Sequence, residues 1–318
     1  MKNKTSFFVC PGASKAGTSS LYDILKFHPE LNLTNIKETR FFVNEEQLKK
    51  GKEFYLNTYF HQNDKLKGEI CPQYMSSDRI PERIYNILGS DTKIILMLRN
   101  PVDRLISHFL MKTRTFENKS LQEVLDQTLH YYEDFDNNDR EYINKHLKYT
   151  LYGEAKNDKN DALGYRYSRY IYPGLYADII EEYFKYFSRE NIKIILFEEF
   201  IIDINKGVKD ITDFLNIDDK FDYKPDQRSN KRKTYKNSIS KKIRNSTFLV
   251  PAKYKRKIAN LVGINKYEKF KKTLETPFVD SKKIEISEEE RDRIYKFYLP
   301  NIIRLEELLN MNLTIWKK

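Results

Sequence analysis

Residues Ser6 to His28 read SFFVCPGASKAGTSSLYDILKFH, and no other stretch restricts the fold as much. Ser6–Cys10 is a short apolar run, too short for a helix and with the Phe and Val content of a buried strand. Pro11–Gly17 is a loop with Gly at 12 and 17. Thr18–His28 is helical, with Leu21, Ile24 and Leu25 on its apolar face. Strand, Gly-containing loop and helix together make a phosphate cradle. Glycine lets the backbone approach an anion closely, and a helix begins with unpaired N–H groups at the positive end of its dipole. The backbone at Ala16 and Gly17 and the side chains of Lys15, Thr18, Ser19 and Ser20 supply the donors. The plainer alternative is a Gly turn that only joins strand to helix.

A second corner of the same kind follows. Thr92–Leu98 (TKIILML) is an uninterrupted apolar run, as expected of a strand covered on both faces in a parallel sheet. It ends at Arg99. Asn100 then reads as an N-cap, Pro101 as the first helical residue and Asp103 as the third, with Leu105, Ile106 and Phe109 on the buried face. In an open parallel sheet such strand ends share one edge, where ligands bind. Two anion-attracting corners on one edge call for a ligand with two separated phosphate-like groups.

Gly12 and Gly17 have the spacing of a P-loop NTPase, but that motif needs Lys directly after the second Gly; here Thr18 follows and the lysine is at 15. The stretch instead resembles the 5′-phosphosulfate loop of sulfotransferases that use 3′-phosphoadenosine 5′-phosphosulfate (PAPS). Arg99-Asn-Pro-Val-Asp-Arg104-Leu-Ile-Ser107 resembles the 3′-phosphate motif of the same family. There, an arginine at a strand end and a serine eight residues on hold the 3′-phosphate. Arginine's fork of donors matches phosphate oxygens. Ser107 lies about two helical turns beyond Arg99, so sharing one phosphate requires a bend at Asn100-Pro101. His28-Pro29, Lys37-Glu38 with Phe41-Phe42, Lys67-Gly68-Glu69 with Pro72 and Tyr74, Tyr172–Tyr176 and Leu196–Glu199 look like family landmarks, and the closing helix with its terminal tryptophan looks similar to the bacterial and heparan-sulfate-type branch. The resemblance implies an α/β, P-loop-like three-layer fold with a central parallel sheet flanked by helices. It also implies PAPS as co-substrate, 3′-phosphoadenosine 5′-phosphate (PAP) as product, and no metal.

The resemblance also assigns roles. Glu38 is the candidate base, since an acceptor hydroxyl is a poor nucleophile until a nearby carboxylate can take its proton. The alternative is a surface carboxylate paired with Lys37 or Arg40. Lys15 is the cation for charge that develops as the sulfuryl group departs. Arg228, Asn230 and Lys231 resemble a late nucleotide-binding loop, against the alternative of a solvated charge run. Phe197 is placed near the adenine, unless it is simply core. Lys37, Glu69 and Tyr74 are placed on the acceptor side, although Glu69 equally suits a partner for a core arginine. His108 reads as structural.

The 318 residues suit one sulfotransferase domain with attachments: an insertion over the acceptor side at 113–165, a basic segment at 224–272, and a closing helix and tail at 287–318. Ser287 with Glu290 spells a capping box, and Trp316 is expected to fold back. Thr113–Leu163 is acidic and aromatic, suited to sugar rings or a flat alcohol. The net charge is +11, and Lys224–Lys272 carries 17 Lys or Arg against two acids. That segment suits an anionic glycan or an anionic membrane surface. The acceptor is read as a glycan or glycolipid hydroxyl, with a small lipophilic alcohol such as a sterol as the alternative. Two cysteines, Cys10 and Cys71, read as buried structural thiols in a reduced compartment. With no signal-like or membrane-spanning run, a cytoplasmic protein is expected. Richness in Asn, Lys, Ile and Tyr points to an AT-rich microbial genome. A P-loop kinase binding ATP with Mg²⁺ and a nucleic-acid-binding protein are the rivals; no specific nucleic-acid module is recognisable.

Overall fold

The computed structural model describes residues 7–112, 119–133, 170–223 and 285–317. The chain divides into two compact units, one of residues 1–108, 120–229 and 287–318 and one of 109–119 and 230–286. The central sheet belongs to the first unit.

Its centre is a sheet of five parallel strands in the order β2-β3-β1-β4-β5. The strands are β1 (Phe7–Gly12), β2 (Leu31–Leu33), β3 (Leu66–Ile70), β4 (Lys93–Leu98) and β5 (Ile192–Leu196). The flanking helices are α1 (Thr18–Leu25), α2 (Glu45–Leu48), α3 (Gly51–Tyr59), α4 (Ile80–Leu88), α5 (Pro101–Lys112), α6 (Leu121–Glu133), α7 (Tyr176–Phe184), α8 (Phe197–Ile202), α9 (Ile204–Leu215) and α10 (Glu288–Leu309). This is the expected α/β architecture. β1 and β4 are buried along almost their whole length because parallel strands are covered on both faces. Where β1 packs on β3, Phe8 lies opposite Gly68, and a side chain at 68 would fall inside the Phe8 ring.

Local differences from the sequence reading have local causes. β1 continues two residues further, to Gly12, because Cys71 N–H donates to Cys10 O (3.0 Å) and Ala13 N–H to Met97 O (2.6 Å). α1 stops at Leu25 because Phe27 and His28 turn back onto Ile24 O and Leu25 O. His28 is then buried between Glu30 N–H (3.1 Å) and Asp218 O (2.6 Å). β2 closes at Leu33, before Lys37-Glu38, and Glu38 and Arg40 both adopt left-handed backbone (φ 62 and 60). The Ser287–Glu290 capping box is present. α10 packs on α7 through Asn301, whose side chain accepts from Ala177 N–H (3.1 Å) and donates to Asp178 (2.6 Å). Cys10 and Cys71 are buried free thiols, and burial pushes Cys10 up to about 12. Among the described residues no helix is long and apolar enough to cross a membrane.

Candidate active site

β1 stands in the middle of the sheet, with β3 on one side and β4 on the other, so strand order reverses beside it. At such a point the connections leave in opposite directions and a crevice opens at the strands' carboxyl ends. Both proposed anion corners are there.

The first is the loop between β1 and α1. Lys15 and Gly17 are left-handed (φ 75 and 87), which curls residues 13–17 around the end of β1. Gly17 occupies the N-cap position of α1, with no side chain closing the helix end. The leading amides of α1 therefore face outward from an uncapped terminus, as an anion site requires. A Cβ on Gly17 would come within 2.8 Å of Phe197 Cδ2, so the loop lies directly against that ring. Ala16 and Thr18 are buried, while Lys15, Ser19 and Ser20 are half-buried.

The second corner is the end of β4. Asn100 caps α5 as expected, its Oδ1 accepting from Val102 N–H at 3.0 Å and Asp103 N–H at 3.5 Å. Arg99 turns toward the first loop: Nη1 donates to Lys15 O at 3.1 Å, and the guanidinium lies 4.9 Å over the Phe197 ring. Its Nε is buried without a partner among the described residues. Phe197 thus forms a common wall, touching Gly17 on one side and carrying Arg99 on the other. Arg104, the second arginine of this stretch, is buried and donates to Tyr170 O, a structural role. Ser107 is half-buried on α5. His108 is buried against the Tyr170 ring, 5.0 Å away.

Glu38 stands at the same crevice. Lys37 Nζ donates to Ser19 Oγ at 2.6 Å and lies 3.3 Å from Glu38 Oε1. One ammonium therefore ties the candidate base to the phosphate loop. Lys37 and Glu38 remain partly exposed, their side chains at 27% and 29%.

Glu69 and Tyr74, read from the sequence as acceptor-side residues, are 1% and 0% exposed and lie beneath the Glu38 loop. Among the described residues Glu69 has hydroxyl and amide partners rather than an arginine. Its Oε1 accepts from Thr39 N–H (3.1 Å), Thr39 Oγ1 (2.5 Å) and Tyr74 OH (3.0 Å), and its Oε2 from Tyr55 OH (2.6 Å). Burial raises the Glu69 carboxyl above the usual range, opposed by the bonds from Thr39, Tyr55 and Tyr74. Thr39 sits between the two left-handed residues Glu38 and Arg40, so this buried carboxylate anchors the turn that presents Glu38.

Sequence reasoning assigned no role to the side chains that hold Arg99. Tyr176 OH donates to Arg99 O at 2.9 Å and accepts from Arg99 N–H at 3.4 Å. Glu198 accepts from Asn100 N–H at 2.9 Å and from Trp316 Nε1–H at 3.1 Å. The available signal was the landmark pattern at Tyr176 and Glu198 together with a lone tryptophan near the end of the chain. Arg228, Asn230 and Lys231, most of the 113–165 insertion and the 224–272 segment lie outside the described residues.

Comparison with known proteins gives the family and the fold. The family model described as the sulfotransferase domain matches residues 5–305. Heparan sulfate glucosamine 3-O-sulfotransferase 5 of Mus musculus is 26% identical over 207 residues, covering 65% of this chain and 52% of that protein. Carbohydrate sulfotransferase 15 of Mus musculus is 25% identical over 255 residues, covering 66% of this chain and 43% of that protein. The chain thus spans about half the length of the curated relatives it matches. Among solved structures, a sulfotransferase from Alicyclobacillus acidocaldarius shares the fold with a TM-score of 0.62 at 24% identity, covering 98% of both chains. With a family model spanning nearly the whole sequence, this chain belongs to the PAPS-dependent sulfotransferase family.

Proposed function

We propose that the protein transfers the sulfuryl group of PAPS to a hydroxyl of a glycan or glycolipid, with Glu38 as the base. The observation that carries this reading is the Lys37 bridge, which joins Glu38 to Ser19 in the first turn of α1. The acceptor class rests on the relatives, one a heparan sulfate glucosamine 3-O-sulfotransferase and another a carbohydrate sulfotransferase.

The crevice fits the nucleotide on three counts. The end of α1 is uncapped, Gly17 permits a cradle that a side chain would fill, and Arg99 carries a buried Nε without a partner among the described residues. PAPS supplies an activated sulfuryl group on a phosphate leaving group. The residues Lys15, Ala16, Gly17, Thr18, Ser19 and Ser20 hold the 5′ end, and Arg99 and Ser107 hold the 3′-phosphate. Phe197 packs beside the nucleotide. Glu38 accepts the acceptor's hydroxyl proton as the acceptor oxygen bonds to sulfur and the sulfur–oxygen bond to phosphate breaks. Lys15, Lys37 and the amides of α1 stabilise the charge that develops on the departing phosphate. The basic segment 224–272 recruits the anionic acceptor or the surface that bears it.

The test is incubation with ³⁵S-labelled PAPS and two acceptor sets, heparosan oligosaccharides and sterols. Label on the oligosaccharide is expected; label on the sterol alone transfers the reading to a lipophilic alcohol. Glu38→Gln is expected to lower turnover below about a tenth of wild type with PAP affinity retained. Higher activity removes Glu38 from the base role.

A further inference from the structure

We propose that Trp316 and Glu198 are positioning residues for the Arg99 corner, so that the C-terminal segment sets the preference for nucleotides bearing a 3′-phosphate. The inference rests on the assignment of Arg99 to that phosphate in the proposed function.

Arg99 lies just beyond β4, where the sheet no longer fixes the backbone. Side chains hold the polar atoms there. Tyr176 OH takes both Arg99 N–H (3.4 Å) and Arg99 O (2.9 Å), and Glu198 Oε1 takes Asn100 N–H (2.9 Å). The guanidinium can lean over Phe197 and reach Lys15 O only while this peptide stays in place.

Glu198 could not do this alone without cost. A carboxylate beside a phosphate site opposes the anion unless donors absorb its charge. Its second oxygen accepts from Trp316 Nε1–H at 3.1 Å. Trp316 is 0% exposed, its ring 5.9 Å from that of Tyr176, so it supports both Tyr176, which holds Arg99, and Glu198, which holds the adjoining Asn100. Core filling alone would explain the ring but not the pairing of its one polar atom with the carboxylate that holds Asn100.

The test is calorimetric titration of wild type, Trp316→Phe, Glu198→Ala, the double variant and Arg99→Ala with PAP and with adenosine 5′-monophosphate, which lacks the 3′-phosphate. Trp316→Phe keeps an aromatic ring and removes the N–H donor. It is expected to weaken PAP roughly threefold to tenfold while leaving the monophosphate within about twofold. Glu198→Ala should show the same selective loss, and the double variant should be no worse than Glu198→Ala, because the two act through one contact. If Trp316→Phe does not fold, Glu198→Ala carries the test. Equal weakening of both nucleotides, or unchanged PAP affinity, overturns the proposal. If Arg99→Ala keeps the preference for PAP, the 3′-phosphate assignment itself has failed; if only Arg99→Ala loses it, the assignment stands and the positioning role does not.

Discussion

Tyr55→Phe tests whether Glu69 anchors the Glu38 turn as a charged group. Tyr55 is 1% exposed, and its hydroxyl donates to Glu69 Oε2 at 2.6 Å. The other bonds, from Thr39 and Tyr74, all go to Oε1, so among the described residues nothing else takes over. Phenylalanine retains the ring contacts with Phe41, Phe42, Tyr59 and Phe60. The loss is therefore one hydrogen bond to an ionised acceptor, about 1.5–3 kcal/mol at pH 7.5. The pH dependence has a definite sign. Burial already raises the Glu69 carboxyl, and the Tyr55 bond is among the groups that pull it down, so the substitution raises it further. A carboxyl whose folded-state pKa is raised contributes stability that is complete below its unfolded value and lost as pH rises through the folded one. The variant, raised further, loses more over that window. The cost should therefore shrink toward about 1 kcal/mol as pH falls toward the ordinary glutamate range, where only a neutral hydrogen bond is at stake. Urea unfolding at pH 7.5 and 5.0, followed by fluorescence of the single, buried Trp316, measures both values. A cost under about 0.5 kcal/mol at pH 7.5, or a larger cost at pH 5.0, refutes an ionised anchor.

Two further substitutions probe the crevice. Gly17→Ala places a side chain on left-handed backbone and 2.8 Å from Phe197. It should cost about 1–2 kcal/mol of stability from the backbone alone and weaken PAP roughly tenfold by moving the ring under Arg99; unchanged PAP affinity would mean the loop does not cradle the nucleotide. Lys37→Met removes the link between Ser19 and Glu38. Turnover of labelled PAPS should fall at least roughly tenfold with a smaller change in PAP affinity, and the reverse pattern would make Lys37 a nucleotide contact only.

Periodic and punctuating features were legible along the chain. The first and second apolar runs mark the strands Phe7–Gly12 and Lys93–Leu98, Asn100 is a cap, and Ser287 with Glu290 opens the last helix, because each depends on residues within a turn or two of one another. The two corners proposed as anion sites were legible for the same reason: each is a strand end followed closely by a helix start. What the sequence could not rank were side chains whose role depends on distant partners. Glu69 reads as a polar residue near an acceptor, yet it is buried because Thr39, Tyr55 and Tyr74 converge on it from separate elements.

The order of residues alone determined that two strand-to-helix turns exist, since local hydrophobicity and capping need no knowledge of the rest of the chain. Only the tertiary structure decided that they face each other across Phe197, that Lys37 brings Glu38 to the same crevice, and that Trp316 reaches back through Glu198 to Asn100. Those relations arise from the strand order β2-β3-β1-β4-β5 and from which helices cover which face, and packing over the whole sheet selects them.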